Sequence, residues 1–372
     1  MKIPFHKVSF SENEINIVTD AIRSGWWTMG PKTIDFETKF KDFIGSQFAV
    51  STNSCTSALH LALKAVGIKE GDEVIIPTNT FVATAEVITY FNAIPVLCDI
   101  NKSDHNIDST KIQELITSKT RAIIPVHFAG NPCSMEEIML LAEKYNLFVI
   151  EDAAHALPSL YYERKIGNIG DITCFSFYAT KTLSTGEGGM LTTNSKVYSK
   201  SSKINRLHGI DRDAWDRYSD NGDWYYEVVD SGYKYNMTDI QASLGLCQLD
   251  KLEDMNLKRA RISKIYIEGL RDLPLIFLKP EKASNGSNHL FVIKTKNRDE
   301  LYRFLKEHGI QTSVHFIPIH KHPYYHKTFN YQNSMYPVAN NVFKSSLSLP
   351  IYPDMTIDEQ SYIIDKINLF FS

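Results

Sequence analysis

Short, largely apolar runs recur between residues 73 and 193: EVIIP (73–77), PVLCDI (95–100), RAIIPVHF (121–128), LFVIED (147–152), ITCFSF (172–177) and GMLTT (189–193). A strand that is apolar on successive residues presents apolar side chains to both faces of its sheet, so both faces must be covered. Helix-like segments such as SALHLALKAV (57–66) and SMEEIMLLAEKY (134–145) lie between several of these runs and supply the cover. The alternation predicts a mostly parallel α/β sheet. Ligands of such sheets bind outside the carboxyl ends of the strands.

TDIQASLGLCQLDKLE (238–253) predicts a further helix. Thr238 with Gln241 three residues later forms a capping box, and Ile240, Leu244, Leu249 and Leu252 recur at roughly helical spacing. Beyond it the pattern changes. HLFVIKT (289–295) reads as a strand, DELYRFLKEHGI (299–310) as a helix and QTSVHF (311–316) as a strand. The expectation is a large domain over residues 1–249, which includes the N-terminal segment, and a small C-terminal α/β domain over 250–372.

Charge and cysteine content narrow the class. The 40 basic and 43 acidic residues give a net charge of -3, which argues against a nucleic-acid binder that relies on bulk positive charge. The apolar runs are too short to span a bilayer, and MKIPFHKVSFSENE lacks the apolar core of a secretory signal. Five dispersed cysteines without CxxC spacing suit reduced thiols in the cytoplasm.

Three features at strand ends carry chemistry. In LFVIEDAAHAL, Glu151 and Asp152 close an apolar run, with His155 three residues on. Asp152 reads either as a helix N-cap or as a carboxylate that holds a cationic group of a cofactor. In NSCTSALHLAL, Asn53, Ser54, Thr56 and Ser57 precede a helix, either as ordinary caps or as a phosphate cradle. In CFSFYATKTLSTGEGGML (174–191), Ser176 lies at a strand end and Lys181 five residues later. A lone lysine is most often solvated, but one entering a closed site is desolvated and becomes nucleophilic. Taken together, an anion cradle, a strand-end acid and a strand-end amine are the parts that pyridoxal 5′-phosphate (PLP) requires for its phosphate, ring nitrogen and aldehyde. There is no GxxxxGK or GxGxxG, which weakens P-loop and dinucleotide readings.

With these motifs the chain resembles the sugar aminotransferases of the DegT/DnrJ/EryC1/StrS family, fold-type I PLP enzymes of the aspartate aminotransferase-like fold. The resemblance also rests on SGWWTMGPKTIDFE (24–37), GDEVIIPTNTFVAT (71–84), IPVHFAG (124–130), GYKYNMTDIQASLGLCQL (232–249) and SLPIYPDMT (348–356), and so runs nearly end to end. Within the family it looks closest to the UDP-4-amino-4-deoxy-arabinose aminotransferase group. One stretch departs from that group: Ile317-Pro318-Ile319 stands where it carries more polar residues.

The resemblance implies roles position by position. Lys181 matches the lysine that bonds the cofactor's aldehyde and moves protons. Asp152 matches the carboxylate on the pyridine nitrogen, His155 a residue beside the ring, and Phe81 the aromatic that stacks on it. Thr56, Ser57 and Ser176 match phosphate-binding positions. Asn236 matches an asparagine that reaches the neighbouring subunit's cofactor, which implies a homodimer with shared sites. His315 and His320 match positions that line the sugar-nucleotide pocket, while Lys32 and Tyr178 are candidates for the diphosphate and the sugar. The implied reaction moves the amino group of glutamate to a UDP-, dTDP- or GDP-linked keto sugar, for surface polysaccharide such as O-antigen or another glycan. Metal is not expected at His315, His320, His322 and His326. Pro318 and Pro323 interrupt any helix that would align them, and their spacing matches no standard ligand set. Two other readings compete. A PLP-fold sugar dehydratase carries histidine in place of the lysine, and a non-catalytic relative need not keep the set intact.

Overall fold

A computed structural model describes residues 1–211, 224–279 and 284–372. Its central sheet has seven strands: β1 (Phe48–Thr52), β2 (Glu73–Pro77), β3 (Ile94–Cys98), β4 (Thr120–Ile123), β5 (Phe148–Asp152), β6 (Ile172–Ser176) and β7 (Gly189–Thr193). Their order across the sheet is β1–β7–β6–β5–β4–β2–β3. β7 runs antiparallel to both neighbours, and the other described pairings are parallel. The six apolar runs read from the sequence thus become strands. The seventh, β1, is the short FAVST segment, whose hydroxyl-rich end carries little apolar signal.

The apolar runs are continuous because the sheet is buried twice. Along β2, Ile75 joins one core cluster while Val74 and Ile76 join the other, and Val149 and Ile150 of β5 divide in the same way. Period-two alternation therefore fills both cores from one strand. The helix Cys55–Ala65 packs in the second core through Leu59, Leu61 and Leu63. The expected helix at 238 spans Asp239–Asp250, with the Thr238–Gln241 capping box formed.

The C-terminal lobe is a three-stranded antiparallel sheet of β8 (Ile276–Phe277), β9 (Phe291–Lys294) and β10 (Ser346–Leu349). The helices Leu252–Leu270, Arg298–Glu307 and Ile357–Phe371 bury Tyr266, Leu301 and Ile363 in one cluster with that sheet. Helix Leu252–Leu270 starts beside the expected 249/250 division, and two segments cross that division. Ile3 bridges Ile310 and packs in the C-terminal cluster, while Ile319, Tyr325, Tyr336 and Val342 pack in a core of the large sheet.

One element expected from the sequence is absent. Residues 311–316 form a single bridge, Ser313 to Ser348, instead of a strand. The backbone is drawn to the large lobe: the Phe316 amide donates to Asn79 Oδ1 (3.2 Å) and the Ile319 amide to the Thr78 carbonyl (2.8 Å).

Candidate active site

The carboxyl ends of β1, β2, β5 and β6 lie on one edge of the sheet. At that edge a cavity of about 470 Å³ is lined by Thr56, Phe81, Asp152, His155, Ser176, Tyr178, Lys181 and His315. Eight of the twelve residues named from the sequence therefore share one cavity.

Its first component is the start of helix Cys55–Ala65. Ser54 Oγ caps the Ser57 amide (3.1 Å), and the amides of Cys55 and Thr56 have no acceptor among the described residues. β7 packs directly against this turn: a Cβ on Gly189 would lie 2.5 Å from the Ser54 carbonyl carbon. Thr56 and Ser176 both line the cavity. Free amides at a helix start, flanked by hydroxyls, fit a phosphate.

Asp152 is 5% exposed at the end of β5. It does not cap a helix, because residues 153–159 form turns. Thr84 Oγ1 donates to its Oδ2 (2.8 Å), Thr80 Oγ1 lies 2.8 Å from the Thr84 hydroxyl, and the Ala154 amide donates to Oδ1 (3.1 Å). Burial pushes its carboxyl up, opposed by the Thr84 hydroxyl, the Ala154 amide and the Lys181 ammonium. A carboxylate so placed fits a protonated ring nitrogen. Behind it lies a pair the sequence does not single out as a pair. His127 Nδ1 accepts from the Cys133 amide (3.1 Å), so its Nε2–H donates to Glu151 (3.0 Å). The His127 amide in turn holds the Asp152 carbonyl (3.1 Å). Burial would raise the Glu151 carboxyl, but His127, the Gly170 amide and Thr173 outweigh it and leave it lowered.

Lys181 follows β6 by a tight turn, its amide bonded to the Tyr178 carbonyl (2.9 Å). Its ammonium has no hydrogen-bond or ion-pair partner among the described residues. Burial lowers its pKa to about 8, against the opposing pull of Cys55 and Asp152. An ammonium so lowered gives up its proton more readily than a solvated lysine, which suits a nucleophilic amine.

Four expected residues lie elsewhere. Ser57 spends its hydroxyl within the helix cap, on Asn53 Oδ1 (2.6 Å). Lys32 sits in the first turn of helix Pro31–Ile44, away from the cavity, its amide bonded to Asp239 Oδ2 (3.1 Å). Asn236 is half-buried and bonds the Met237 carbonyl (3.3 Å). The expectation that His320 lines the pocket is corrected: it is buried between Thr78 Oγ1 (2.7 Å) and Asn340 Oδ1 (3.1 Å) and stacks on Tyr336. The neighbouring histidines take separate partners, His322 the Ile317 carbonyl and His326 the Tyr331 carbonyl. Phe5, His6, His289 and Phe316 line the cavity without having been singled out. They come from the N-terminal crossing and the C-terminal lobe, and no local motif marks them.

This fold and site define a fold-type I, PLP-dependent aminotransferase. The chain belongs to the DegT/DnrJ/EryC1/StrS aminotransferase family, which it matches over residues 8–368. It is 46% identical to the spore coat polysaccharide biosynthesis protein SpsC of Bacillus subtilis, over 98% of this chain and 96% of that one. Among solved structures, it superposes on the PMP form of Spr1654 from Streptococcus pneumoniae, a candidate sugar aminotransferase. That match has a TM-score of 0.93 and 33% identity over 99% and 98% of the two chains. PseC of Helicobacter pylori, an aminotransferase of pseudaminic acid biosynthesis, gives a TM-score of 0.93 and 28% identity over 100% and 99%. No described helix is long and apolar enough to cross a membrane.

Proposed function

We propose that the protein transfers the amino group of glutamate to C4 of a nucleotide-linked keto deoxysugar, releasing 2-oxoglutarate and a nucleotide-linked amino sugar. The observation that carries this is the unpartnered Lys181 amine, in one cavity with a buried carboxylate and an open helix N-terminus. When bound, PLP supplies an electron sink and carries the amino group between the two substrates. Thr56 and Ser176 hold its phosphate, Asp152 its ring nitrogen, and Phe81 one face of the ring. The Lys181 amine takes the proton from the donor's α-carbon, and in the second half-reaction it moves a proton at the sugar carbon.

Lys181 also argues against the dehydratase reading, in which histidine takes its place. The sugar reading draws on SpsC and PseC, whose names tie them to coat polysaccharide and pseudaminic acid. A homodimer suits the cavity mouth, where Phe81 is 59% and Tyr178 47% exposed. In that assembly Asn236 serves the other chain's cofactor, and the product enters glycan biosynthesis in the cytoplasm. The test is a panel of UDP-, dTDP- and GDP-linked keto sugars incubated with glutamate, with NMR of the products. Amination at C4 of one of them is the expected result, and amination at C3 alone would overturn the regiochemistry.

A further inference from the structure

A threonine inside a helix commonly returns its hydroxyl to a carbonyl three or four residues earlier, which satisfies it locally. Thr19, Thr38 and Thr89 do so, on the carbonyls of Ile15, Ile34 and Glu86. Thr84 does not. It lies in the first turn of helix Val82–Thr89, is fully buried, and donates out of the helix to Asp152 Oδ2 (2.8 Å).

The Thr84 hydroxyl is itself served by Thr80. An ionised Asp152 only accepts, so the single Thr84 proton goes to Oδ2 and Thr84 Oγ1 offers lone pairs alone. The buried Thr80 hydroxyl, 2.8 Å away, is then the donor. Two hydroxyls therefore point in file at one carboxylate oxygen. The helix that carries Thr84 begins at Phe81 with no side-chain cap, so the polar groups of this turn serve Asp152 and not the helix end.

The rest of Asp152 is held by backbone. Its amide donates to the Pro125 carbonyl (2.9 Å), its carbonyl accepts from the His127 amide (3.1 Å), and Oδ1 accepts from the Ala154 amide (3.1 Å). Among the described residues, Thr84 gives the only side-chain hydrogen bond to the carboxylate. A carboxylate has about four acceptor positions, so these two donors leave lone pairs on both oxygens for a further N–H. Burial raises the Asp152 carboxyl, and the Thr84 hydrogen bond is the largest effect opposing it, ahead of the Ala154 amide, the Lys181 ammonium and His127. Asp152, Thr80 and Phe81 line the cavity and Thr84 does not, so Thr84 acts through Asp152.

We propose that Thr84 is a positioning residue for the reaction. Its hydroxyl, steered by Thr80, fixes the Asp152 carboxylate and keeps it the anionic partner of the cofactor's ring nitrogen, so that the proton between them stays on the nitrogen. A carboxylate deprived of that donor binds a proton more tightly and draws it from the ring. This rests on the placement of the ring nitrogen at Asp152 proposed above.

The test loads the wild-type protein, Thr84→Val and Thr84→Ser with PLP isotopically labelled at its ring nitrogen. The NMR resonance of that nitrogen separates a protonated from a neutral ring. Valine keeps the shape and removes the donor, whereas serine keeps the donor. Thr84→Ala is a second hydroxyl-free variant, and it decides the matter if circular dichroism shows Thr84→Val to be unfolded. The wild type and Thr84→Ser are expected at the protonated position, and the hydroxyl-free variants displaced towards the neutral one. The glutamate half-reaction, followed by the loss of visible absorption, is expected to slow about tenfold in the hydroxyl-free variants and to recover in Thr84→Ser. A wild-type resonance in the hydroxyl-free variants overturns the inference, as does a Thr84→Ser resonance displaced as far as theirs. A neutral ring nitrogen in the wild type removes the Asp152 placement itself, and the inference with it.

Discussion

The floor and the roof of the cavity are built in opposite ways. The floor (Thr56, Asp152, Ser176 and Lys181) comes from the carboxyl ends of β1, β5 and β6 and the segments that follow them. The roof (His6, His289, His315 and Phe316) comes from a chain end and from irregular segments of the other lobe. Floor groups are hydrogen-bonded or await a charged cofactor group, whereas roof groups are neutral and in part unpartnered. The contrast sets a floor of groups suited to the cofactor against a roof of neutral groups, and substitutions can break it.

The largest effect is expected at the floor's amine: Lys181→Ala should lower turnover by about 10³-fold or more, measured by single-turnover kinetics. Normal turnover in that variant would move the chemistry elsewhere. Asp152→Asn keeps the shape but loses the charge, and turnover should fall by about 10²-fold. A fall of less than threefold would mean that the carboxylate only supports the turn.

Outside the cavity, His320 sharpens the comparison. His320→Ala leaves Thr78 and Asn340 without their partner, so urea denaturation should show a loss of about 1–3 kcal/mol with both half-reactions unchanged. A raised sugar KM would return His320 to the pocket. The smallest effect concerns acid. Unfolded imidazoles take up protons below about 6.5, while His6 and His315 resist protonation until about 4. The unfolded chain therefore binds more protons across that window, and stability falls as pH drops from 6.5 towards 4. His6→Phe should flatten that slope in thermal unfolding of the cofactor-free protein, and an unaltered slope would show that His6 is not the group titrating.

This division also explains how much could be read from the sequence. Asp152 was legible because it ends an apolar run, and Lys181 because it follows the next run by five residues within a stretch that matches the family's motif. The Thr238–Gln241 box was legible because capping is local. His289 and His6 were not, because their meeting depends on Ile3 pairing with Ile310 and on the C-terminal lobe closing over the sheet edge. Residues 311–316 misread as a strand for a similar reason: the Asn79 side chain and the Thr78 carbonyl, more than 230 positions away, take the amides of Phe316 and Ile319. His320 shared a motif with His315, yet the segment turned it into the core against Tyr336.

The most direct test of the central claim is borohydride reduction of the PLP-loaded protein, followed by mass mapping of its peptides. The cofactor's mass should be found on the peptide containing Lys181 and nowhere else. Attachment to another lysine, or none at all, would contradict the account.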